Sequence, residues 1–75
     1  MDEGYILSNK YRRMVFDELA AGETSVEHIS KKHHIIRMVV ERVMDEFFVG
    51  GIVEKSGSNY CFTKEGKRLM ENIER

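Results

Sequence analysis

The sequence predicts an α+β fold that is mainly α: three helices, a two-stranded hairpin and a closing helix. Three observations carry this expectation. Apolar residues recur three and four positions apart through 9–49. The period then shortens after Gly50-Gly51, where two β-prone runs flank a Ser-Gly-Ser turn signal at 56–58. Residues able to cap a helix (Ser8, Thr24 and Thr63) stand ahead of helical stretches. Residues 1–8 form an N-terminal extension, 9–49 a three-helix core, 52–63 the hairpin and 64–75 the closing helix, all within a single domain of 1–75.

Each element has a local reason. Ser8 caps a first helix over 9–21, which Gly22 stops. Tyr11, Val15 and Leu19 share its inward face with Phe16 beside them, and the stem of Arg12 lies at the core edge with its head in water. In the second helix Thr24 and Glu27 fit a capping box, each side chain satisfying the other's free backbone N–H. Val26, Ile29 and His33 line one side, and the helix ends near His33-His34. In the third helix, 36–49, Ile36, Val39, Val40, Val43, Met44 and Phe47 fall within an arc of about 140° at 100° per residue. The other side carries Arg37, Glu41, Arg42, Asp45 and Glu46 with Met38 and Val49. This helix is therefore two-sided, apolar inward and charged outward. The runs IVEK and NYCFT make the hairpin, and Thr63 caps a last helix whose Leu69, Met70 and Ile73 form one side.

A chain of 75 residues buries only about 60% of its unfolded surface, so the core is thin. Its 41% apolar and 33% charged residues are those of an ordinary globular domain, with no low-complexity segment. No apolar run approaches the roughly 20 residues that span a bilayer. The opening MDEGYILSNK begins acidic and lacks the order of a signal peptide. Cys61 is the only cysteine, which excludes an internal disulfide and fits a reducing, cytoplasmic compartment. The net charge of −1 hides a polarised distribution. Between 28 and 42, Lys31, Lys32, Arg37 and Arg42 face Glu41 alone for a net of +3, while the remainder sums to −4.

Ser25-Val26, Ile29-Ser30, Ile35, Val40, Met44, Phe47 and Gly51-Ile52-Val53 follow one another without a gap, and YCFTKEGKRLM follows them. This order resembles the winged helix-turn-helix family, especially small archaeal and bacterial transcriptional regulators of the MarR-like kind. The likeness runs over 10–72. It implies a three-helix core with a two-stranded β wing and a C-terminal helix. It also implies sequence-specific binding of double-stranded DNA, with helix 36–49 in the major groove. Three departures stand out: His34 replaces the usual turn glycine, Ile36, Met38 and Val39 replace a Ser/Thr-rich start, and the tip 56–59 has no Arg or Lys.

The candidate DNA contacts follow from chemistry. Arg37 and Arg42 present forked guanidinium groups to guanine or phosphate, Met38 suits a thymine methyl, and Glu41 accepts from cytosine. Lys31, Lys32 and His34 lie where phosphates would pass, and Ser58 and Asn59 at the hairpin tip reach a neighbouring phosphate or the minor groove, with Lys55 or Lys64 flanking them. The plain alternative is a solvated face with Arg42 paired to Glu46 or Glu41. Leu7, Leu69, Met70 and Ile73 exceed what one thin core needs and are candidates for a homodimer interface, which would set two reading helices about 34 Å apart; local core closure is the alternative. His28, His33, His34 and Cys61 lack the spacing of a zinc site, so His33 reads as a structural histidine and Cys61 as a small core filler. No phosphate loop, HExxH or nucleophile–base set is present, so the expectation is a non-enzyme without cofactor, metal or small-molecule ligand. A second function class is a winged-helix module that binds protein and has little affinity for DNA.

Overall fold

Among the described residues, five helices and one antiparallel hairpin follow in the order α1 (Glu3–Leu7), α2 (Lys10–Ala20), α3 (Val26–His33), α4 (Arg37–Val49), β1 (Val53–Ser56), β2 (Asn59–Phe62) and α5 (Lys64–Ile73). The computed structural model describes residues 1–74; Arg75, the last position of the expected segment 64–75, lies outside the described residues. The fold is mainly helical with a two-stranded antiparallel sheet in which Val53 faces Phe62 and Ser56 faces Asn59. No described helix is long and apolar enough to cross a membrane.

α4 packs against both α2 and α3, and its inward residues Val40, Val43, Met44 and Phe47 are buried. Phe16 of α2 meets Phe47 edge-on at 6.2 Å and Phe62 of β2 at 5.0 Å, which ties helix pair and hairpin into one core. Burying Phe16 and Phe47 stabilises the fold by about 1.5–3 kcal/mol each, with Phe62 half-buried against them. The hairpin is fixed at two further points. Tyr60 donates its backbone N–H to the Thr24 carbonyl at 3.0 Å, and Ser25 bridges to Asn59 just ahead of α3. At the other end Thr63 donates from Oγ1 to the Gly51 carbonyl at 2.6 Å and accepts from Gly66 N. A Cβ on Gly66 would lie 2.1 Å from the Ile52 carbonyl oxygen, so only glycine lets the first turn of α5 approach the backbone just ahead of β1.

Several expectations change. The extension contains a helix: Asp2 caps α1 by accepting from Tyr5 N at 2.9 Å, and Ile6 is fully buried. Ser8 closes α1, and Asn9 caps α2 by accepting from Tyr11 and Arg12 N. The head of Arg12 is only partly in water. It lies 3.8 Å over the Tyr5 ring and donates to Glu46 at 3.1 Å, while its Nε is buried without a partner. The Thr24–Glu27 capping box does not form. Ser25 caps α3 by accepting from His28 N, the Glu23 carboxylate accepts from Thr24 and Ser25 N, and Glu27 pairs with Lys31. Ile36 is 72% exposed because it is the extended residue before α4, where helical spacing does not apply. Val39 is half-buried, and Cys61 is exposed rather than a core filler, opposite Glu54 on the outer side of the hairpin.

Candidate nucleic-acid interface

The chain turns between α3 and α4 within three residues. His34 takes the left-handed conformation at φ 53° and ψ 43°, the position at which the sequence has histidine in place of glycine. Ser30 Oγ donates to the Ile35 carbonyl at 2.6 Å, and Ile35 N returns to the Ser30 carbonyl at 3.1 Å. These bonds satisfy backbone groups at the turn and fix where α4 begins. α4 itself has no side-chain cap hydrogen bond at its start.

With its inward stripe in the core, α4 leaves Arg37, Met38, Glu41, Arg42, Asp45 and Val49 exposed. Arg37, Glu41 and Asp45 form one wall of a groove of about 310 Å³, and Lys55 and Ser58 of the hairpin form the other. Val26 and Tyr60 make its floor. Gly57, at φ +62°, permits the tight reversal that brings Ser58 and Asn59 to the exposed tip. Arg42 lies on the opposite flank of α4, in a second groove of about 660 Å³ with Tyr5, Glu46, Val49 and Gly50 among its lining.

The charges in and around this face are largely paired. Arg37 Nε donates to Glu41 Oε1 at 2.9 Å, and Lys31 Nζ sits 3.0 Å from Glu27 Oε1. Lys31, with a smaller effect from Arg37, holds the Glu27 carboxyl below its ordinary range. Lys32 turns away from α4 and lies 3.0 Å from Glu18 Oε2 on α2. Arg42 makes no ion pair among the described residues. Exposed pairs such as Arg37–Glu41 are worth at most about 1 kcal/mol and exchange readily with a phosphate or a base edge.

Of the nine positions expected to touch DNA, Arg37, Glu41 and Ser58 meet around the groove. Lys31 adjoins them through Glu27, Met38 points outward from the first turn of α4, and Asn59 sits at the hairpin tip. His34 is exposed at the turn, Arg42 is on the far flank, and Lys32 belongs to the α2–α3 contact. Among the expected dimer residues only Leu7 is exposed, at 43%. Leu69 is part of the protomer's own core, and Met70 and Ile73 pack against it.

Three features escaped the sequence reading. Asp45 completes the groove with Lys55, which the sequence offered only as a flank of the hairpin tip. Glu18 is buried between His33 and Lys32, and its signal was present, since seven residues separate it from Tyr11 on the inward face of α2. Tyr5, Arg12 and Glu46 form a cluster joining α1, α2 and α4, with the Tyr5 hydroxyl 2.5 Å from Glu46 Oε2. The hydroxyl and then the guanidinium hold the Glu46 carboxyl below its ordinary range, and the same carboxylate raises the Tyr5 phenol. No group of three or more His, Cys, Asp or Glu among the described residues is arranged to hold a metal ion.

No family model, curated protein or solved structure matches this chain.

Proposed function

We propose that this chain is a winged-helix domain of the MarR-like kind that binds double-stranded DNA as a transcriptional regulator, laying α4 in the major groove with the hairpin alongside. One observation carries the reading: the outer face of α4 is open from its first turn, with Arg37 and Met38 exposed there and the hairpin beside it. Arg37 and Arg42 contact bases or phosphate from the two flanks of the helix. Lys31, His34, Ser58 and Asn59 anchor the backbone on either side. Two copies would occupy a palindromic site with half-sites about one DNA turn apart.

A titration on mixed duplex DNA at low salt tests this. Saturable binding that weakens steeply with salt is the expected result. The double variant Arg37→Ala, Arg42→Ala is expected to lose at least about tenfold in affinity and to flatten the salt dependence. A protein-binding module is the second reading, favoured by exposed Ile36, Met38 and Val49 and by the balance of Arg37 and Arg42 against Glu41 and Asp45 on the same helix. Absence of duplex binding at low salt would turn the assignment to that module.

A further inference from the structure

Arg37 and Glu41 stand one turn apart at the start of α4, with side chains 60% and 49% exposed, and the Nε–Oε1 bond between them is 2.9 Å. A guanidinium carries five N–H donors in a rigid plane. Engaging Nε with the carboxylate leaves the end bearing Nη1 and Nη2 free, with two N–H groups side by side. The carboxylate keeps its second oxygen as an acceptor. The pair therefore brings two free donors and a free acceptor together at the exposed start of α4.

The major-groove edge of a G·C pair offers the complement: acceptor at guanine N7, acceptor at guanine O6, donor at cytosine N4. A·T offers acceptor, donor and acceptor, so its central adenine amino group would meet an N–H. A reversed C·G pair offers the same groups in the opposite order. The ion bond, worth at most about 1 kcal/mol at this exposure, biases the arginine toward one orientation before contact and so lowers the ordering cost of reading.

The groove around the pair sets which way a strand would run. Lys55 Nζ lies 5.8 Å over the Tyr60 ring on the hairpin wall, with Ser58 beside it, while Asp45 continues the α4 wall beyond Glu41. A phosphate is attracted to the hairpin side and repelled from the Glu41–Asp45 side, so the bases turn toward α4. We propose that Arg37 and Glu41 act as one reading unit that selects a G·C pair in a single orientation, with Lys55 and Ser58 taking the adjoining phosphate. This inference rests on the DNA-binding reading above.

The test is selection of the full chain on a random duplex pool, followed by titration of the selected duplex and of each single-pair substitution in it. One position is expected to prefer G·C over both A·T and C·G by about tenfold or more. Glu41→Ala is expected to shrink that preference at that position alone, without weakening binding to the substituted duplexes. Arg37→Lys keeps the charge but not the fork and is expected to erase the preference while retaining the salt dependence. Both side chains are exposed, and circular dichroism verifies that the variants remain folded. If Glu41→Ala tightens binding to every duplex equally and the preference survives, the carboxylate is a bystander and the proposal fails. Duplex binding with no G·C position sensitive to these two residues overturns the reading unit and leaves the DNA-binding assignment standing. No binding at low salt overturns both.

Discussion

Glu18 is the one charged side chain classed as buried among the described residues, at 8% exposure, and its position explains why it is ionised. His33 Nε2 lies 2.5 Å from one carboxylate oxygen and Lys32 Nζ 3.2 Å from the other, and these two bonds, the histidine's first, hold the carboxyl below its ordinary value. Burial opposes ionisation but is outweighed. Because the folded value lies below the unfolded one, the contribution is complete above the ordinary carboxylate value of 4.5 and is lost as pH falls through the depressed folded value. Glu18→Gln is expected to cost about 1–3 kcal/mol at neutral pH. Urea unfolding checks this, and the gap between wild type and variant should close as the solution is acidified below pH 4.5. A gap that persists unchanged in acid would mean that shape, not charge, joins α2 to α3 here.

At the scale of elements, the turn between α3 and α4 decides how the outer face is presented. His34 there occupies a backbone conformation that costs an L-residue roughly 1 kcal/mol or more and that glycine adopts freely. His34→Gly is therefore expected to be neutral or stabilising by up to about 1 kcal/mol, and His34→Val to destabilise by more than about 1 kcal/mol, because a β-branched side chain tolerates this region worst. Denaturant midpoints of the two variants measure both effects. This turn was legible in the sequence, as were α4 with its inward stripe and the hairpin with its Ser-Gly-Ser turn, because each is set by local spacing. What escaped was set by partners distant in sequence. α1 is only five residues long, too short for periodicity to show, and is held by Ile6 in the core and by the Tyr5–Arg12–Glu46 cluster. The caps at Asn9 and Ser25 each stand one residue beyond the expected ones, since Ser8 is used to end α1 and the Thr24 carbonyl is engaged by Tyr60. At the candidate interface, spacing identified Arg37, Met38, Glu41 and Arg42 as outward-facing. It did not show that Lys32 would turn to Glu18 or that Lys55 and Asp45 would complete a groove, since both depend on how separate elements pack.

For the whole molecule, the question is whether a second copy is needed. A stable interface buries about 800 Å² on each partner, which is about a sixth of the 4878 Å² surface of this protein. The residues expected to supply it are largely spent: Leu69 lies in the core, Met70 and Ile73 pack against it, and α5 closes against α1 and the hairpin. The large apolar side chains that remain exposed do not form one face, although Met1 and Val49 share the groove of about 660 Å³. Ile36 and Met38 are at the start of α4, Phe48 and Val49 at its end, Met1 beside Gly50, and Leu7 at the end of α1. Neither α5 nor α1 therefore offers a broad apolar face, and the net charge of −1 gives no general attraction to DNA that would concentrate protomers on it. Sedimentation velocity at micromolar concentration is accordingly expected to give a monomer. Two protomers should assemble only on a duplex carrying two half-sites, with the spacing of the sites rather than a preformed dimer setting their separation. A concentration-independent dimer without DNA would contradict this. Loss of that dimer on Leu7→Glu would then place its interface at α1, the one expected contact that the fold leaves open.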